Sequence, residues 1–258
     1  MAGLKKPRRP HRSNSHREFI KSFRKGIAMQ RSTVFQGDRA IVQTEFVRRV
    51  FNWMALGLAV TALTALFAIN SGLIFSLLSP GVMLLLVVGE LGIVIALSAA
   101  IGKLQSSTAL FMFFAYSFLN GLTLSTIFLI YTKASIANTF FVTAGTFAAM
   151  SVYGYTTRRD LTSMGSFLMM ALIGVIIASI VNFFFKSPAF YWLITYAGIA
   201  IFVGLTAYDA QAIKQMAYAG FAGSEEERKG AIIGALRLYL DFINLFLLLL
   251  RIFGRRSD

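Results

Sequence analysis

Two aspartates stand in the middle of apolar text: Asp209 in FVGLTAYDAQAIK (202–214) and Asp241 in LRLYLDFINLFLLLL (236–250). A carboxylate inside hydrocarbon costs about 3 kcal/mol even on lenient insertion scales, so a retained one has a partner or a water-filled cavity. Between them lies AGSEEERKG (222–230), and both positions are sixteen residues from Glu225 in that run. If the flanking helices form a hairpin turning there, both carboxyls lie about 24 Å from the turn, at equal depth. Facing each other in a low dielectric, two carboxylates cannot both ionise cheaply, so the pair is expected to share one proton. Protonated, such a dyad closes through a carboxyl–carboxylate hydrogen bond; doubly ionised, it repels or takes a cation.

Plainer assignments stay open beside this one. Arg237 lies four residues before Asp241 and can pair with it on one helix face. Asp209 can face water where AQAIKQ begins. Gly234, Arg237, Asp241 and Asn244 form a polar stripe at helical spacing, equally suited to a cavity wall or an interhelical hydrogen-bond seam. Glu90, the third carboxylate in apolar text, reads either as a cation ligand or as a group bonded to a neighbouring helix's hydroxyl.

The elements that must position these groups follow from composition. The 258 residues are 57% hydrophobic and only 14% charged, against about 25% charged in soluble domains. The apolar residues come in blocks of about twenty, the length that crosses a bilayer core. Seven such blocks run approximately over Phe51–Asn70, Gly81–Ile101, Thr108–Tyr131, Ala137–Tyr155, Ser163–Phe185, Phe190–Tyr208 and Ile232–Phe253. The expected fold is an all-α membrane protein with seven transmembrane helices over residues 46–258, preceded by a basic, flexible tail over 1–45. Small residues such as Gly89, Gly92, Ala96 and Ala100 are expected to let helices approach closely, because hydrophobicity alone does not drive association in lipid.

Inventory removes several functions. Cysteine is absent, and the only histidines, His11 and His16, lie in the tail. An intramembrane zinc site or Ser-His-Asp triad therefore has no ligands to use, and no cofactor is expected. The net charge of +14 does not indicate nucleic acid: thirteen of the 25 Lys and Arg residues precede Val50, a cluster suited to anionic lipid and to fixing orientation. With the tail inside, nineteen Lys and Arg fall on its side and five on the other, which puts the N-terminus in the cytoplasm. The C-terminal RIFGRR breaks the rule, so the last segment either spans fully, the favoured reading, or re-enters and returns.

Three stretches carry a family resemblance. FVGLTAYDAQAIK, GALRLYLDFINLFLLLLRIFG (234–254) and YGYTTRRDL (153–161) resemble signature segments of the Bax inhibitor 1 (transmembrane Bax inhibitor motif) family, in its bacterial inner-membrane branch. The resemblance implies a bundle whose last helix is central among the other six, and a pH-sensitive calcium leak with Asp209 and Asp241 as the sensor. Relatives of that kind also use a second-helix arginine to pin the sensor. This sequence has none there; Lys103 is the nearest base, and Arg237 is a substitute. The partners implied are the bilayer, protons and weakly, transiently bound calcium at Asp209 and Asp241. Two rivals remain: a non-conducting modulator of a membrane quality-control protease, and a di-aspartyl intramembrane protease. The second is disfavoured because bulky Leu238-Tyr239-Leu240 precedes Asp241, where such enzymes place glycines.

Overall fold

The computed structural model describes residues 43–217 and 224–257. Most of the basic tail expected over 1–45, and with it any contact to anionic lipid, lies outside the described residues. Helix α1 (Gln43–Asn70) begins at Gln43. There follow α2 (Ile74–Leu77), α3 (Pro80–Ala100), α4 (Ser106–Leu124), α5 (Ile127–Ile130), α6 (Lys133–Thr156), α7 (Thr162–Phe185), α8 (Pro188–Met216) and α9 (Glu225–Phe253). Among the described residues seven helices are long and apolar enough to cross a membrane, α4 and α5 counting together as Ser106–Ile130. Most outrun the sequence-derived blocks by several residues, because their polar ends continue the helix past the width that hydropathy detects.

Helix α9 is the axis. Two thirds of its apolar window is buried (67%), against none of that of α7. It packs on α4, α6 and α8, and its chemistry suits its length. The Ser224 side chain accepts from Glu227 N–H, acids fill the first turn and Arg251 stands in the last, each favourable to the helix dipole. Helix α7 buries only Gly165 and turns Phe167, Ile173, Ile177 and Phe184 outward. In lipid such a face meets its own kind of solvent and needs no covering.

Pairing at both ends of the bundle resolves the last segment. Arg49 of α1 meets Glu227 at 3.3 Å, and the Glu225 carboxylate accepts from Ser106 N–H and hydroxyl. The starts of α1, α4 and α9 therefore share one end. At the other, Thr132 N–H donates to Arg255 O and Ser257 N–H to Ile130 O, with an antiparallel bridge between Tyr131 and Arg256. The chain thus crosses fully at α9, and the re-entrant alternative is excluded.

Close helix contact does occur, though not where the α3 glycines suggested. A Cβ on Gly92 would meet nothing within 4 Å, and one on Gly89 only a Leu119 methyl at 3.8 Å; α3 lies at the periphery. The tight crossing is instead α6 on α8, where a Cβ on Gly154 would stand 2.0 Å from the Ala207 carbonyl oxygen. Backbone cannot swing aside as a side chain can. Gly154→Ala is therefore expected to lower stability by about 1–3 kcal/mol, read as a reduced thermal midpoint in detergent, with Gly92→Ala unchanged beside it.

Candidate functional site: a buried aspartate pair

Asp209 on α8 and Asp241 on α9 are brought together. Each is buried, at 8% and 5% exposure, and their carboxyls lie close enough to interact directly. The symmetry that suggested this does not hold in detail. Asp209 is seven residues from the end of α8 at Met216, whereas Asp241 is sixteen from the start of α9 at Glu225. The pair meets because α8 and α9 pack along much of their length, with unequal overhangs at the polar end.

Arg237 departs from the expected arrangement. Its guanidinium lies 3.8 Å from Asp209 Oδ1, across the helix interface, so its ion pair is with Asp209 on α8 and not with Asp241 on its own helix. The base beside the pair is thus Arg237. Lys103 sits exposed in the turn after α3 and is not part of this site. One oxygen, Asp241 Oδ2, is buried with no hydrogen-bond partner among the described residues. A buried acceptor of that kind is costly unless a proton, water or ion reaches it.

Such a group can come from the cavity alongside. A space of about 410 Å³ lies between α7, α8 and α9, lined by Arg237, Asp241, Asn244 and Asp209 among mainly apolar neighbours such as Leu172 and Leu248. Helix α7 leans on α8 and hardly touches α9, which leaves the gap. The stripe on α9 is thus a cavity wall at Arg237, Asp241 and Asn244. Gly234 is not part of it, being packed against Val50 and Ile213. Asn244 donates to Leu240 O at 2.8 Å, so its own carboxamide oxygen remains an available acceptor on the wall.

Glu90 belongs elsewhere. Buried on α3, it accepts from Asn120 Nδ2 at 3.2 Å and from the Thr123 hydroxyl of α4, the second of the two sequence alternatives. Asn120 Oδ1 in turn accepts from the Tyr239 hydroxyl at 3.0 Å, which also meets Thr61 Oγ1 of α1 at 2.7 Å. Residues two apart on a helix point to opposite sides, so α9 presents Asp241 to the cavity and Tyr239 to this second polar seam. Glu90→Gln is expected to leave any pH response of the Asp209–Asp241 site unmoved, measured as the pH midpoint of cation flux. Sequence reasoning missed Asn120, Thr61 and Tyr239 because hydroxyls and amides are common in apolar helices and only their convergence distinguishes them.

The motif loop is tied to the same helix. Gln211 Oε1 accepts from Leu161 N–H, Gln211 Nε2 donates to Arg159 O, and Lys214 Nζ donates to Tyr155 O. The YGYTTRRDL turn is thereby clamped to α8 one turn beyond Asp209.

The family model described as "Inhibitor of apoptosis-promoting Bax1" matches residues 43–258. The chain belongs to this Bax inhibitor family. It is 52% identical over 229 residues to Inner membrane protein YbhL of Escherichia coli strain K12, covering 88% of this chain and 97% of the relative. An uncharacterized protein of Borreliella burgdorferi is 46% identical, covering 84% and 95%, and uncharacterized protein RP147 of Rickettsia prowazekii is 45% identical, covering 83% and 90%. Family membership agrees with the seven-helix membrane architecture. Leu238 and Tyr239, which precede Asp241, are fully buried.

Proposed function

We propose that this Bax inhibitor family protein is a passive leak for calcium or a similar hard cation in a bacterial inner membrane, gated by protons at Asp209 and Asp241. One observation supports it above others: two buried carboxyls in contact beside a cavity, one carrying an unpartnered oxygen. Low dielectric and like charge leave one proton on the pair, shared as a hydrogen bond that holds α8 to α9. Arg237 offsets the remaining charge. Loss of the proton leaves two carboxylates against one arginine, and their repulsion parts the helices at the cavity.

The charged group facing the pair is Arg237; Arg251 lies at the far end of the same cavity, and α7 contributes Met169, Leu172, Val175, Ile176 and Ser179, none of which titrates. The oxygens available to a cation are the two carboxyls and the Asn244 carboxamide. Hard cations take six to eight oxygens where they are stored (about that many in well-formed sites), and no group of three or more His, Cys, Asp or Glu positioned for a metal occurs among the described residues. So few ligands suit passage, with water completing the shell.

The Lys and Arg bias supports a cytoplasmic N-terminus, with the basic tail against anionic lipid. A non-conducting modulator of a membrane protease would instead need the tail and tolerate loss of both aspartates. Calcium entry into proteoliposomes at several pH values separates the two: a rate indifferent to Asp209→Asn and Asp241→Asn would remove the leak.

A further inference from the structure

The cavity beside the aspartates continues into a second one of about 530 Å³ at the α7–α8 turn, the two sharing Ser179, Ile194 and Arg251. The second cavity carries Lys186, Ser187 and Asn182, with the Arg251 guanidinium 5.4 Å from the Tyr191 ring centre. No carboxylate lines it among the described residues, and Arg251 enters no ion pair there. Two positive charges therefore stand at the mouth of an apolar slot.

Backbone geometry points the same way. Lys186 ends α7 at φ 51°, in the left-handed region, the sole non-glycine there among the described residues. Glycine takes that position without the steric cost a Cβ brings. A lysine kept in its place presents a charge at a helix terminus whose apolar face looks outward to lipid.

We propose that this joined cavity binds an anionic phospholipid. Lys186 and Arg251 hold the phosphodiester, Ser187 and Asn182 supply hydrogen bonds, and one acyl chain lies in the slot between α7 and α9. Arg251 and Asp241 are ten residues apart on α9, about 15 Å, room for most of one chain. Charge complementarity selects anionic over zwitterionic lipid, since basic pockets between helices favour negative headgroups. The slot stays open because α7 and α9 lean on α8 and hardly on each other. Binding here does not depend on whether the aspartate pair gates a cation.

The full chain in detergent tests this by thermal unfolding and by native mass spectrometry of retained lipid. Phosphatidylglycerol, phosphatidylcholine and inorganic phosphate serve as probes, against wild type, Lys186→Gly, Arg251→Gln and Arg255→Gln. Phosphatidylglycerol is expected to raise the wild-type midpoint and be retained in preference to phosphatidylcholine. Removing either Lys186 or Arg251 should weaken apparent affinity by about threefold to tenfold, and Arg255→Gln should not. Lys186→Gly relieves the backbone and so remains informative if Arg251→Gln fails to fold. Equal response to phosphatidylcholine, an equal shift from inorganic phosphate, or phosphatidylglycerol binding unchanged in Lys186→Gly would each overturn the proposal.

Discussion

Asp241→Asn is expected to hold calcium entry into proteoliposomes at its slow, low-pH rate across the whole range, while wild-type entry quickens as pH rises. The carboxamide is neutral at every pH yet still donates N–H to Asp209, and Asp209 keeps Arg237 at 3.8 Å. The closed contact therefore survives with no second carboxylate to repel Asp209. Asp209→Asn also removes the second charge, but it frees Arg237 from its partner. Arg237 then turns to Asp241, four residues along its own helix, where such pairs form readily. This variant too should lose its pH response, with a higher resting rate than Asp241→Asn because the cross-helix ion pair is gone. The sign follows from the chemistry: proton loss opens, so flux climbs with pH. A switch worked by one proton changes its populations by at most about tenfold per pH unit. A steeper wild-type profile would mean that more than the aspartate pair titrates.

Tyr239 carries the second large effect, on stability. It is fully buried, with edge-on ring contacts to Phe113 at 5.8 Å and Tyr116 at 5.6 Å between centres. Its hydroxyl ties α9 to α4 and α1 through Asn120 and Thr61. Tyr239→Ala deletes the ring and leaves a void in the seam, at a cost of about 3 kcal/mol or more. Lipid is as apolar as the interior, so lost dispersion contacts rather than hydration dominate that figure. Tyr239→Phe removes only the hydroxyl. Thr61 retains the Gly57 and Ser117 carbonyls, and Asn120 retains Glu90, so the expected loss is about 1 kcal/mol. Thermal unfolding in detergent should rank wild type, then Phe, then Ala. A Phe variant as weak as Ala would show that the hydrogen bonds outweigh the ring packing.

Much of this architecture was legible because lipid simplifies the code. Uncharged blocks of about twenty residues have few alternatives to spanning helices, and rare carboxylates within them mark the candidate site. Rotation about the helix axes was not legible. Arg237 sits at a spacing that permits an Asp241 pair, yet α8 packs close enough to bring Asp209 to it. Glu90 resembled a candidate ligand until α4 placed Asn120 and Thr123 against it. Spacing also failed at the glycines. Gly92 looks out from a peripheral helix, while Gly154, within the YGYTT segment, meets the Ala207 carbonyl. Which small residues face a neighbour depends on packing order, and no local pattern records it.

The shared proton can be observed directly by infrared difference spectroscopy of the reconstituted chain during a pH titration. The carbonyl stretch of one protonated carboxyl should vanish over the same pH interval in which calcium entry rises, and it should be missing at every pH from Asp241→Asn. A flux profile that rises with no carboxyl losing its proton, or an unchanged band in that variant, would contradict proton sharing between Asp209 and Asp241 as the gate.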